Sequence, residues 1–120
     1  MKKIKVGNKI NVSNANWSFG GQVFKNFDNH INKSIPLYKW SHDIGLNVSD
    51  FFLPNGNTFY DLGCSTGIFI NSLAKRHKEK NIKIFGIDEI KQMVSQSKKT
   101  NKKFKNVQIK TGDITKIKFE

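Results

Sequence analysis

The hydrophobic positions of this chain recur first at a helical period, and from Thr58 onward runs that read as strands alternate with helical stripes. Between Gln22 and Ile31, Val23, Phe24, Phe27 and Ile31 fall at i, i+1, i+4 and i+8, which predicts one apolar face of a short helix. A second helix is predicted from Pro36 to Phe52, where Leu37, Trp40, Ile44, Val48 and Phe51 keep helical spacing and Pro36 suits a first turn. Gly45 weakens it, and Ser49-Asp50 followed by Leu53-Pro54-Asn55-Gly56-Asn57 closes it. The run Thr58–Leu62 then reads as a strand, followed by a loop through Gly67 and a helix to about Lys80. That helix carries a narrow stripe of Ile70, Leu73, Ala74 and His77, with Lys75, Arg76, Lys78 and Lys80 on its outer side. Residues Ile82 to Ile87 are nearly all apolar, as in a parallel strand buried on both faces. Asp88-Glu89 opens a further helix with Ile90, Met93, Val94 and Ser97 inward, a basic linker spans 98–103, and Val107-Gln108-Ile109 forms a short third strand. Residues 1–21 show no sustained period and form a polar leader, with Trp17 and Phe19 as candidate anchors. The whole reads as α/β: a helical cap over 22–53, then a βαβαβ core over 57–120.

The chemistry concentrates where the first strand ends. Phe59-Tyr60-Asp61-Leu62-Gly63-Cys64-Ser65-Thr66-Gly67-Ile68 passes from an apolar run through a small-residue loop and back, a strand, tight turn and helix in sequence. Gly63 and Gly67 let the backbone come close to a ligand, and the amides opening the next helix are expected to be free to bind it. Asp61 sits at the end of its strand, where parallel α/β sheets open their binding crevice, and Asp88 follows about twenty residues after Gly67, the spacing at which nucleoside-binding units hold a ribose. A nicotinamide dinucleotide fingerprint needs Gly-x-Gly-x-x-Gly. Ser65 and Ile68 stand where its later glycines belong, which argues against that cofactor.

Asp61-x-Gly63-x-x-x-Gly67, Asp88 after the next strand and Gly112-Asp113-Ile114 after the third resemble the first three motifs of class I S-adenosylmethionine-dependent methyltransferases. Asn32-Lys33-Ser34-Ile35-Pro36-Leu37-Tyr38 and Asp61-Leu62-Gly63-Cys64-Ser65 are similar to the carboxy-S-adenosyl-methionine synthases of tRNA wobble-uridine modification. The resemblance implies the N-terminal half of a Rossmann-like fold with about three parallel strands, and an S-adenosyl-L-methionine site. In that site Asp88 takes the ribose, Asp113 with Ile114 the adenine, Gly63, Cys64 and Ser65 with Gly67 the methionine moiety, and Tyr38 touches the cofactor from the cap. Asp61 lies near the cofactor's amino group or fixes the loop. Glu89 replaces the amide usual in the synthases, which puts its own contact in question. In those enzymes prephenate supplies a carboxyl group to the sulfonium methyl, and the arginine that holds the new carboxylate lies beyond the residues seen here. An ordinary methyltransferase acting on a small molecule or RNA is the alternative. Transfer from a sulfonium needs alignment more than acid or base, so no catalytic residue is assigned.

Composition narrows the remaining classes. The net charge of +12 comes from 21 basic and 9 acidic residues, and every basic residue but Arg76 is lysine. Lysine without interleaved aromatics or arginine forks argues against a non-enzymatic nucleic-acid-binding module and leaves direct tRNA binding open. A lone Cys64 excludes an internal disulfide and offers no metal-ligand spacing, so no metal is expected. The basic start lacks an apolar stretch long enough for a signal peptide, and no membrane partner is expected. The reading is a cytoplasmic N-terminal portion of a longer enzyme, which as a full-length protein forms a homodimer, with the 120 residues alone inactive.

Overall fold

The computed structural model describes residues 4–5, 11–12 and 23–119, with side chains from Asn26 onward. Within the polar leader, β1 (Ile4–Lys5) pairs antiparallel with β2 (Asn11–Val12), a bridge too short to leave any periodic signal. Trp17 and Phe19 lie outside the described residues. Then follow α1 (Val23–Ser34), α2 (Tyr38–Phe52), β3 (Thr58–Leu62), α3 (Ile68–Arg76), β4 (Lys83–Asp88), α4 (Lys91–Thr100) and β5 (Val107–Thr111).

The last three strands form one parallel sheet in the order β3-β4-β5, with Phe59 opposite Ile84 and Ile84 opposite Val107. β4 is central, and five of its six residues are buried, as its unbroken apolar run predicts. On one face Ile84 and Ile109 meet Ile70, Leu73 and Ala74 of α3 and Val94 of α4, forming the main core with Leu53 and Ile82. A smaller cluster joins Phe27 and Ile31 of α1 to Met93 and Ile90, so α1 closes over the C-terminal ends of the strands.

Three boundaries differ from the sequence expectation. α2 begins at Tyr38 rather than Pro36 because Leu37 turns left-handed (φ 62°), bending the chain between the two cap helices. α3 ends at Arg76 because His77 is drawn into the interior, where its Nε2 meets Ser49 Oγ at 2.7 Å. α4 starts at Lys91, since the Asp88 carboxylate holds the Ile90 amide ahead of it (2.9 Å).

The sequence left open which side of α2 faces inward, and the structure decides it. Its stripe of Leu37, Trp40, Ile44, Val48 and Phe51 faces outward, with Trp40 66% and Phe51 84% exposed. The side toward the core is made of Leu46 and Leu53 with the small Gly45 and the polar Ser49 between them, so two leucines seven residues apart are all the apolar signal that side carries. Polar contacts anchor that side: Ser49 on His77, and the Arg76 guanidinium on both carboxylate oxygens of Asp50 at 2.8 and 2.5 Å. Arg76 therefore bridges two helices from the exposed outer side of α3, where the sequence placed it.

Candidate cofactor-binding site

Parallel strands all end on one edge of the sheet, so the loops after β3, β4 and β5 converge there. They enclose a cleft of about 540 Å³. Gly63 and Ser65 come from the first loop, Asp88, Glu89 and Ile90 from the second, and Gly112, Asp113, Ile114 and Thr115 from the third. Phe27 and Ile31 of α1 form the opposite wall, with Met93 of α4 beside them. Asp88 is the polar centre, only 9% exposed. One of its oxygens accepts the Ser65 amide at 2.8 Å and the other the Ile90 amide at 2.9 Å, so a single carboxylate ties the cradle loop to the start of α4. Each oxygen keeps a further lone pair for a hydroxyl. Asp113 caps its own turn, accepting from the Thr115 amide (2.9 Å) and hydroxyl (2.7 Å), and pairs with Lys116 at 3.1 Å. The Thr115 bonds and Lys116 hold its carboxyl below the usual range.

The two loop glycines differ. Gly63 adopts φ +85° and a Cβ there would meet nothing within 4 Å, so it is both a backbone requirement and an open part of the cleft. Gly67 (φ +77°) is buried, and a Cβ would run into Ser97 and Asn101 of the α4 end, which makes it a packing residue away from the cleft. Cys64 is buried too, its Sγ near Ser97 Oγ at 3.9 Å, and burial, with Asp61, raises its thiol pKa to about 12. The expectation of free loop amides is corrected in the same place. Gly63 and Cys64 both donate to the Ile87 carbonyl (2.8 and 2.9 Å), Ser65 to Asp88, and Gly67 to the Cys64 carbonyl (2.9 Å), because the turn needs these bonds to hold its shape.

Asp61 does not line this cleft. Among the described residues no donor meets its half-buried carboxylate. Burial, and then the neighbouring Asp88 charge, raise its pKa to about 6. Tyr38 also stands outside the lining residues and belongs to the same end: burial first, then the Asp28 and Asp61 charges, raise its pKa. Thr66 Oγ1 donates to Asp28 at 2.5 Å and pins α1 to the cradle loop.

Six of the ten residues expected from the sequence thus line the cleft: Gly63, Ser65, Asp88, Glu89, Asp113 and Ile114. Tyr38 and Asp61 lie at one end, and Cys64 and Gly67 build the turn behind it. Sequence reasoning did not assign Phe27, Ile31, Ile90, Met93, Gly112 or Thr115 to the site, although the first four were already visible as apolar positions of α1 and α4. Together with Ile114 they make an apolar slot beside a carboxylate, a match for a flat heterocycle joined to a ribose. Among the described residues no cluster of side chains could hold a metal ion, and no helix is long and apolar enough to cross a membrane.

Residues 54–120 match the model of a methyltransferase domain family. The chain is 34% identical over 108 residues to the carboxy-S-adenosyl-L-methionine synthase of Ruthia magnifica subsp. Calyptogena magnifica, covering 88% of this chain and 45% of that protein. Among solved structures it superposes on a SAM-dependent methyltransferase from Aquifex aeolicus with a TM-score of 0.57 at 27% identity, covering 74% of this chain and 48% of the other. A putative S-adenosyl-L-methionine-dependent methyltransferase from Methanococcus maripaludis gives 0.66 at 24%, over 91% and 49%. The chain belongs to the methyltransferase domain family and has its Rossmann-like fold, and S-adenosyl-L-methionine is the cofactor of that class. It spans 37% to 48% of the length of the curated relatives it matches.

Proposed function

We propose that this chain is the cofactor-binding part of a cytoplasmic S-adenosyl-L-methionine-dependent transferase of the carboxy-S-adenosyl-L-methionine synthase type. The observation that carries the reading is Asp88, a buried carboxylate at the centre of a cleft with an apolar slot beside it. Asp88 takes the ribose hydroxyls, Phe27, Ile31, Ile90 and Met93 enclose the adenine, and Asp61 faces the amino group. Four carboxylates, Asp61, Asp88, Glu89 and Asp113, give this end of the molecule a negative potential suited to an ammonium and a sulfonium. When bound, the cofactor supplies the electrophilic one-carbon group, and the residues here hold and orient it. The group joined to it is a carboxyl from prephenate, for use in tRNA wobble-uridine modification, and the full-length protein works as a homodimer. This finer reading rests on the names of the relatives and on the Ser34–Tyr38 and Asp61–Ser65 stretches.

An ordinary methyltransferase is the second reading, favoured by Glu89, which departs from the amide of the synthases at the cleft wall. Incubating the full-length protein with S-adenosylmethionine and prephenate and weighing the cofactor by mass spectrometry separates the two. A carboxylated cofactor is expected. Absence of the carboxylated cofactor with prephenate, and conversion of S-adenosylmethionine to S-adenosylhomocysteine once a methyl acceptor is supplied, selects the second reading.

A further inference from the structure

Phe69, in the first turn of α3, leans back onto α2. A Cβ at Gly45 would stand 3.1 Å from two of its ring carbons, so the ring is seated almost on the α2 backbone. One turn earlier on α2 comes His42, and one turn before that Tyr38. The Tyr38 and His42 ring centroids are 4.5 Å apart at 52°, those of His42 and Phe69 5.3 Å at 65°, and those of Phe69 and Phe59 6.2 Å at 43°. An unbroken ladder of rings thus runs from the start of α2 through α3 to β3. Asp61 lies two residues past Phe59 on the same face of that strand. Tyr38, at the other end of the ladder, feels the Asp61 charge.

His42 does not line the cleft and is half-buried between two rings. Burial lowers its pKa, against an opposing pull from Asp43, so it fills the gap as a neutral ring at neutral pH. We propose that His42 is a positioning residue: wedged between Phe69 and Tyr38, it holds Tyr38 at the Asp61 end of the cleft, so that cofactor affinity depends on a side chain that does not touch the cofactor. The proposal rests on the reading of the cleft as an S-adenosylmethionine site and on the contact of Tyr38 with the cofactor that the family resemblance implies. Removing the wedge takes away the ring that Tyr38 packs on, and the lost ring contacts set the scale of the effect.

Calorimetric titration with S-adenosylhomocysteine tests it on the full-length protein, with the chain unaltered and as His42→Ala, His42→Phe, Tyr38→Ala and the His42→Ala/Tyr38→Ala double variant. His42→Ala is expected to weaken binding about three- to tenfold. His42→Phe keeps a ring in the gap and is expected to restore affinity to within about twofold of the unaltered chain. In the Tyr38→Ala background His42→Ala should add nothing, a coupling that a general loss of packing would not produce. Additive losses in the double variant, failure of His42→Phe to rescue, or unchanged affinity in His42→Ala would each overturn the proposal. An Asp88→Asn arm separates the two levels. If Asp88→Asn weakens binding while Tyr38→Ala does not, the cofactor site stands and the role of His42 falls; if the unaltered chain binds no cofactor, both fall.

Discussion

Asp88 and Asp61 are both carboxylates at strand ends, and their surroundings give them different work. Asp88 is satisfied by two amides and stays available to hydroxyls. Asp61 is half-buried with no donor among the described residues, and its raised pKa carries a pH signature. A carboxyl whose pKa is about 6 in the fold and near 3.8 when unfolded favours the unliganded fold below pH 4, and that contribution is lost as pH rises through 6, at a cost of roughly 2–3 kcal/mol. Asp61→Asn should therefore raise the melting temperature of the unliganded full-length protein at pH 7.5 and leave it little changed at pH 4. Bound cofactor reverses the sign, because an ammonium favours the charged carboxylate. Cofactor affinity should rise from about pH 5 to 7, with a proton released near pH 6 that calorimetry in buffers of different ionisation enthalpy detects. Gly63 gives the second test at this scale. Gly63→Val should abolish binding by filling the cleft, while its circular dichroism survives better than that of Ile84→Asp, which buries a lone charge at a fully enclosed position. Normal binding by Gly63→Val would exclude the cradle.

Elements were legible where one pattern decided them. β4 reads as buried on both faces because nothing but apolar residues and Gly86 separates Lys83 from Asp88, and the structure buries it so. The acidic motifs after β3, β4 and β5 were legible because residue type and spacing alone place them at one edge of the sheet. α2 was legible as a helix and its orientation was not, because periodicity reports that a helix is two-sided and leaves open which side is inward. Here Leu46 and Leu53 share the core side with a notch at Gly45, a buried Ser49–His77 hydrogen bond and the Arg76–Asp50 pair, and these last three leave no apolar pattern. The loop amides were misread for a related reason: a glycine pattern announces a turn and does not say that Ile87 and Asp88 already occupy its donors. The apolar face left outside has a consequence of its own. Trp40, Ile44, Val48, Phe51 and Phe52 together expose far more apolar surface than scattered single residues would. Trp40→Gln/Phe51→Gln should reduce self-association in sedimentation velocity without changing cofactor affinity, and equal sedimentation of the two forms would show that this face does not drive association.

Across the whole molecule, the sheet described here has β3 at one edge, and its outer side has no partner among the described residues. An open strand edge beside an exposed helix stripe is a template for association, and a small domain has little stability in reserve. The 120 residues alone should melt broadly or self-associate and show no group transfer, and a sharply melting, active monomer would contradict this. The site itself is compact: three loops and α1 enclose it, and its polar centre is one residue. The most direct test of the account is therefore titration of S-adenosylhomocysteine and NADH into the unaltered chain and Asp88→Asn. The account predicts that S-adenosylhomocysteine binds and NADH does not, and that Asp88→Asn weakens the binding about ten- to a hundredfold, the scale of losing a charged acceptor for ribose hydroxyls. Equal affinity in the two forms, or preference for NADH, would contradict it.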